Sequence, residues 1–365
     1  MDSNKCLTYD EMKALIDATI KMIPPTVNGV YIIDEDGKFY STSEWNTSNN
    51  SKASGVAVVD SSASFIIAPI ENSPAMRWGG YGITISGCTT STSTSTIKND
   101  YAGEANTTAI IYTLGVYGSA ATATAMYIEE DIAAANNEAA AIPQTLSLED
   151  DSESTNVFDS EEYNTLLDKQ AEGTLSEEEF ARLSELDLLK IKQEFMEKYN
   201  IVNDTVLYIL LEKLRQRLKT NIVSVQSNSS EKYVDAEDVD KLSDTTIMRM
   251  ILENNNSQSE EETIVYGADN SSDYAANCCR NYIFKHGKAG FLPAVGQLLV
   301  MSRLRSSINS ALSLIGGTQL TEYSHWSSSQ YDSNRAWLVH LGSSGNVSII
   351  SKSNTYYVRA ICSFS

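Results

Sequence analysis

The sequence predicts an α+β protein, in which a domain of short strands and two helices is interrupted by an acidic α-helical insertion. Three observations carry that prediction. Charge is partitioned: the 365-residue chain has a net charge of −21, and residues 128–272, with 33 acidic and 12 basic residues, account for all of it. The remaining residues hold 15 acids and 15 bases. On either side of the block, short apolar runs are separated by Gly, Ser, Asn and Asp, the texture of strands and turns. Within the block, apolar residues recur at helical spacing instead.

Residues 1–27 form an N-terminal segment. Leu7, Met12, Leu15, Ile16 and Ile20 fall on or near one side of a helix over 1–23 that Pro24-Pro25 stops. Such a helix either attaches the protein to something larger or packs on the next domain. Residues 28–127 begin the strand-rich domain. Val30–Ile33 and Lys38–Ser41 flank Asp-Glu-Asp-Gly, a hairpin signal, and 55–59 with 64–68 repeat it. Then come Trp78, the glycine cluster 79–82, a short strand at 83–85 and a Ser/Thr tract at 89–96 expected as a surface loop. A helix is expected around 106–114.

The acidic insertion, 128–272, reads as helices around Tyr163–Leu167, Phe180–Phe195 and Leu207–Leu218. Ser176 and Glu179 fit a capping box. Arg215, Arg217 and Lys219 are expected in the last turn of the third helix, against the negative end of its dipole. The flanks 147–158 and 253–262 read as connections. After Asp273 the short-strand texture returns, and one helix at about 294–314 precedes the Ser-, Asn-, Gly- and aromatic-rich run to residue 365. Residues 335–341, 346–351 and 356–362 are expected strands.

Composition bounds the chemistry. At 42% hydrophobic and 21% charged residues the chain is globular. Its acidity disfavours nucleic-acid phosphates as a partner. No apolar run approaches the roughly 20 residues that span a bilayer, so no membrane insertion is expected. The start of the chain has no basic stretch followed by an apolar one, so no secretory signal is expected. The five cysteines, Cys6, Cys88, Cys278, Cys279 and Cys362, then read as reduced thiols.

No P-loop, HExxH or GxSxG pattern occurs, and His286, His325 and His340 are not spaced as a local metal cluster. Neither enzymatic activity, nor a cofactor, nor a metal is expected. Residues 168–179 match a calcium loop at Asp168, Gly173, Leu175 and Glu179 but carry Gln170 and Glu172 where Asp or Asn is usual. The preferred reading is a helical hairpin with Gly173 as C-cap and Ser176 as the next N-cap. Arg280, Lys285, His286 and Lys288 interleave with Tyr282 and Phe284, a strand and turn rather than a nucleic-acid strip.

Residues 323–341, Tyr-Ser-His-Trp-Ser-Ser-Ser-Gln-Tyr-Asp-Ser-Asn-Arg-Ala-Trp-Leu-Val-His-Leu, continue into Gly-Ser-Ser-Gly-Asn-Val, Lys-Ser-Asn and Tyr-Tyr-Val-Arg-Ala. This run resembles the variable region of C-type-lectin-fold proteins diversified by retroelements, of the major-tropism-determinant kind, and of related structural proteins of Bacteroides-type phages. Upstream, 38–45, 54–58, 78–82, 100–107, 275–282, 287–296 and 314–318 are similar to the same family in the same order. The resemblance covers about 28–127 and 273–365, and the acidic block falls between two of its segments. It implies one C-type-lectin-like domain, split by the insertion, in a phage virion protein: a fibre, decoration or tail-associated component.

The resemblance also implies a binding surface. His325, Gln330, Tyr331, Asp332, Arg335, Leu338, His340, Ser348, Ile350, Asn354, Tyr356 and Tyr357 fall where the family varies. Trp326, Trp337 and Arg359 fall at its scaffold positions, and Val347, Val358 and Ile361 are expected inside. Strand alternation places neighbouring side chains on opposite faces, and Tyr, Ser and Asn surfaces are what antibody paratopes use. The implied partners are other virion proteins, copies of the same chain (a trimer among the options) and a host cell-surface protein or glycan. The implied location is the virion, after synthesis in the host bacterial cytoplasm. Rival readings are a purely structural assembly protein whose acidic helices dock a basic neighbour, and a bacterial surface adhesin. Kinship with formylglycine-generating enzymes, which share the lectin-like fold, is disfavoured because vicinal Cys278-Cys279 does not match a copper-binding pair.

Overall fold

The computed structural model describes residues 23–142, 161–172, 176–227, 234–254, 274–342 and 345–364. It divides into two compact units, Met1–Leu114 with Asn270–Ser365, and Gly115–Asp269. The sequence expectations for 1–22, 143–160 and 255–273, and those for Gly173 and Leu175, lie outside the described residues. The fold is mixed α and β, with two five-stranded sheets.

In the strand-rich unit the first sheet joins β1 (Gly29–Asp34), β2 (Phe39–Ser41), β3 (Ala53–Val59), β4 (Ser64–Ile67) and β10 (Ile361–Cys362) in the order β10-β4-β3-β1-β2. The two expected hairpins form. In the first, Asp34 Oδ1 accepts from the backbone N–H groups of Asp36 (3.0 Å) and Lys38 (2.9 Å), and Gly37 supplies the left-handed residue of the turn at φ 81°. The second sheet joins β5 (Asn72–Arg77), β6 (Ser324–Gln330), β7 (Arg335–His340), β8 (Val347–Ser351) and β9 (Thr355–Val358) in the order β5-β9-β6-β7-β8. All its pairings are antiparallel except β6 with β9, which meet in parallel at His325 and Tyr357. Neither β5 nor β6 is legible as a strand. β5 contains Pro74, tolerated because it lies at the sheet edge, and β6 reads Ser-His-Trp-Ser-Ser-Ser-Gln, polar but for one residue.

The core fills the space between β3, β4, β7 and two helices, with Val56, Phe65, Leu298, Met301, Leu312 and Trp337 among its members. The single helix expected over 294–314 is two, α9 (Val295–Arg303) and α10 (Arg305–Leu314) in chain order, broken at Leu304. The break lets both segments turn apolar residues, Leu298 with Met301 and Ile308 with Leu312, onto the same core. Residues 83–85 are not a strand. Their backbone bonds are those of a loop: Lys352 Nζ donates to Ile83 O (2.8 Å) and Ile85 N donates to Gln330 Oε1 (3.1 Å), while Ile83 N donates to Gly80 O (3.0 Å). The Ser/Thr tract ends in a helical turn, α1 (Thr94–Ile97), capped by Ser93. Gly79, Gly80 and Gly82 take φ values of 90°, 64° and 84°, which only glycine adopts without strain.

The expected helix near 106–114 is the start of a longer one, α2 (Gly103–Ala125). Space is tight at Gly103, where a Cβ would lie 2.3 Å from Gln297 Oε1 and 3.0 Å from the backbone atoms Ala294 N and Leu292 O. The division between units falls inside α2, between Leu114 and Gly115. Residues 105–128 carry no charge and the acidic run begins at Glu129, so a charge-based boundary lands later than the change in packing. Residues 275–281, the start of the expected strand-and-turn region, form α8 (Ala275–Asn281), and Ile283 then bridges Ala289.

The other unit contains α3 (Ile128–Ala141), α4 (Glu161–Glu172), α5 (Glu177–Lys198), α6 (Asp204–Gln226) and α7 (Asp244–Asn254). α6 buries Leu207, Leu211, Leu214, Leu218 and Ile222, an i, i+4, i+7 stripe. It runs on to Gln226, so Arg215, Arg217 and Lys219 lie mid-helix and not in its last turn. They act as clamps instead. Arg215 donates to Val239 O (3.0 Å), Leu242 O (2.9 Å) and Asp244 (2.5 Å); Arg217 grips Asp131 and Lys219 reaches Asp240 (2.6 Å). The Ser176–Glu179 capping box is present, and Lys169 also pairs with Glu179. The carboxylate a calcium loop would need at its last position is thus held by the helix it caps. Among the described residues no single helix is long and apolar enough to cross a membrane.

Candidate ligand-binding face

β6 sits inside the second sheet, between β9 and β7, and is buried from His325 to Gln330. This corrects the expectation for four of the twelve surface residues: His325, Gln330, Leu338 and Ile350 are at most 9% exposed. Alternation assumes one wet face, whereas both faces here are covered. Gln330 accepts from Ile85 N and Lys352 Nζ (2.7 Å) and donates to Thr90 Oγ1 (2.9 Å). His325 pairs with the Glu71 carboxylate and, through Nδ1, with Tyr323 O at 2.9 Å. Leu338 and Ile350 pack as apolar side chains.

Tyr331, Asp332, Arg335, His340, Asn354, Tyr356 and Tyr357 are half-buried and Ser348 is exposed. The structure gathers some of them into two groups at opposite ends of β6. In the β6–β7 turn, Asp332 accepts from the backbone N–H groups of Asn334 (2.8 Å) and Arg335 (2.7 Å) and from Arg335 Nε (2.8 Å) and Nη2 (2.5 Å). The guanidinium so oriented lies 4.5 Å from the Tyr331 ring, which meets Trp337 edge-on at 5.2 Å. These contacts hold a cation and an aromatic ring in one geometry before any ligand arrives.

At the other end Tyr357 stacks on Tyr323, centroids 5.2 Å apart and planes 11° apart. Tyr356 meets Trp326 edge-on at 5.2 Å. Tyr323 is 58% exposed and was not expected in the surface. Tyr323 lies one residue before β6, so strand alternation gives no signal for it, and only the fold brings its ring and that of His325 against Tyr357. His340 and Ser348 belong to neither group; His340 Nδ1 accepts from Gly342 N at 3.1 Å, and Ser348 projects from β8.

The scaffold beneath is buried and polar as well as aromatic. Trp326 Nε1 donates to Met76 O and Trp337 Nε1 to Ser91 O, each at 2.8 Å. Arg359 donates to Ala68 O (2.8 Å), Thr318 O (2.9 Å) and Glu71 (3.4 Å), and burial pulls its guanidinium down to about 10. Val358 and Ile361 are buried and Val347 is half-buried. Sequence reasoning missed Asp100, whose carboxylate accepts from Ser329 Oγ (2.6 Å), Asn106 Nδ2 (3.0 Å) and Ala102 N (2.9 Å), and Lys352.

One other arrangement has the form of a catalytic array. Cys362 Sγ lies 3.8 Å from His286 Nε2, and His286 Nδ1 meets Ser54 Oγ at 2.6 Å. Cys362 is 1% exposed and burial pushes its thiol up to about 12, so this site supplies no thiolate and no access for a substrate. Burial also raises the Cys279 thiol. Among the described residues no group of three His, Cys, Asp or Glu side chains is placed to hold a metal ion. No family model, curated protein or solved structure matches this chain.

Proposed function

We propose that the protein is a non-enzymatic bacteriophage virion component, a fibre, decoration or tail-associated protein, whose strand-rich unit is a C-type-lectin-like domain that binds a host-surface protein or glycan. The family resemblance of 28–127 and 273–365 supports the class of protein. The observation that carries the binding role is the pair of ordered aromatic groups on the second sheet, Tyr323 on Tyr357 and Arg335 over Tyr331. Rigid aromatics with few rotatable bonds lose little entropy on contact, and the surrounding Ser and Asn offer adaptable hydrogen bonds. The strand-rich unit is balanced in charge, so binding there rests on aromatic area and hydrogen bonding more than on steering.

The test is adsorption of particles carrying Tyr357→Ala with Arg335→Ala. Adsorption to host cells should fall by roughly ten-fold or more, the loss expected when two interface anchors are truncated, while particle yield and sedimentation stay as in the parent. Unchanged adsorption by intact particles would sink the receptor-binding role.

A further inference from the structure

His325 is fully buried, whereas His286 and His340 are half-buried. Both of its ring nitrogens face acceptors: Nδ1 lies 2.9 Å from Tyr323 O, and Nε2 meets the Glu71 carboxylate. A carbonyl oxygen and a carboxylate accept and do not donate, so satisfying both takes a proton on each nitrogen, the imidazolium form. Glu71 is also ion-paired with Arg359, whose Nη1 lies 3.4 Å from Oε2. The chain around the pair is pinned. Glu71 N donates to Thr318 Oγ1 (2.8 Å), and Arg359 donates to Thr318 O (2.9 Å) and Ala68 O (2.8 Å).

The same ring stands behind the exposed aromatic pair. Its centroid lies 5.9 Å from that of Tyr357, which stacks on Tyr323, and its Nδ1–H holds the Tyr323 carbonyl. One side chain thus touches both members of the stack. Leu341 N also donates to Tyr323 O, at the longer distance of 3.3 Å. Around the ring stand Glu71 from the β4–β5 connection, Arg359 after β9, Tyr357 of β9 and Tyr323. Behind them, Cys279 of α8 interacts electrostatically with Glu71, and Tyr282 with Arg359. β7 adds no titratable group, because His325 lies opposite Val339. Burial raises the Cys279 thiol and the Tyr282 hydroxyl and leaves the Arg359 guanidinium at about 10. These three therefore keep their charge states across the range of about pH 5 to 8 in which histidines ordinarily titrate. When an imidazolium so placed loses a proton, one nitrogen turns a lone pair towards an acceptor. The carboxylate holds the proton on Nε2 by charge, so the bond lost is Nδ1–H to Tyr323 O.

We propose that His325 is a proton-operated latch on this face: doubly protonated, it holds Tyr323 against Tyr357, and on losing a proton as pH rises it releases Tyr323 so that the two rings part. Weaker ligand binding by the parted rings rests on the receptor-binding reading; the latch itself does not.

The experiment follows the full-length protein by NMR across pH, with isotope-labelled histidine and tyrosine. Single His286→Gln and His340→Gln variants assign the His325 ring, and Tyr323→Phe and Tyr357→Phe assign the two phenols. At the acid end both His325 nitrogens should carry protons, and the two tyrosine rings should show a nuclear Overhauser contact. As pH rises, that contact should be lost at the midpoint where His325 loses its proton. Glu71→Gln removes the anion and keeps the shape, and should move both midpoints together to lower pH. A contact that survives the loss of the proton, a ring whose protons are the same at every pH, or midpoints that Glu71→Gln separates would overturn the latch. Should Glu71→Gln lose hydrogen-exchange protection in β6, coincidence of the two midpoints in the parent decides. Particle adsorption over the same range separates the two readings. Adsorption that falls as the rings part supports both, and adsorption unchanged while they part upholds the latch and sinks receptor binding at this pair.

Discussion

Lys352 is fully buried, with Nζ donating to Ile83 O (2.8 Å) and Gln330 Oε1 (2.7 Å) and lying 4.5 Å from the centre of the Trp78 ring. Burial pulls its ammonium from 10.5 down to about 7, against those contacts. Between these two values the unfolded chain binds the proton and the folded chain does not, so stability rises with pH across that window. Below it both states are protonated and the cost of burying the charge is fully present. Lys352→Met removes the titration and takes the side-chain donor from buried Ile83 O, while Gln330 Oε1 keeps Ile85 N, a loss of about 1–3 kcal/mol. Denaturant unfolding of parent and variant should show a gap that widens as pH rises from about 7 towards 10.5; a gap independent of pH would contradict this account. The same residue explains why Gln330 was misplaced on the surface. Its partners, Lys352, Ile85 and Thr90, are distant in sequence, and no periodicity within 324–330 reports them.

At the scale of the element, what was legible was what local chemistry decides. Asp-Glu-Asp-Gly makes the first hairpin, and Ser176 with Glu179 starts α5, because each signal is complete within a few residues. What was not legible depends on distant partners. β6 is a strand because β9 and β7 flank it, although its own residues are mostly serine. The break at Leu304 lies in Arg-Leu-Arg, with no Pro or Gly to mark it, and follows from where α9 and α10 must place their apolar faces. The α4–α5 connection gives a direct check. Ser176→Ala removes the acceptor for Glu179 N and should cost about 1 kcal/mol in thermal unfolding of the helical unit. Because Ser176 N and Lys169 already occupy Glu179, calcium at millimolar concentration should leave the midpoints of parent and variant unchanged; stabilisation by calcium would restore the metal-loop reading.

Over the whole molecule, the strand-rich unit is built from both ends of the chain at once. β5, before the acidic block, pairs with β9, after it, and β4 pairs with β10. Charge arithmetic located the interruption because the acids are confined to it, but could not show that the two flanks share sheets. Non-local pairing of this kind makes folding slow and dependent on the last residues of the chain. Residues 355–362 contain β9, which lies between β5 and β6, Arg359, which ties Ala68 to Thr318, and Ile361, which exchanges backbone hydrogen bonds with Phe291 at 2.7 and 3.1 Å. The helical unit draws its core from Phe195, Leu210, Leu214 and Leu218 and uses none of them. Deleting residues 355–365 should therefore abolish hydrogen-exchange protection in β1, β3 and β7, while α6 keeps its own and helical circular dichroism persists. Retained protection in β3 would mean that the first sheet closes without its C-terminal strand, and simultaneous loss in α6 would mean that the two units fold as one.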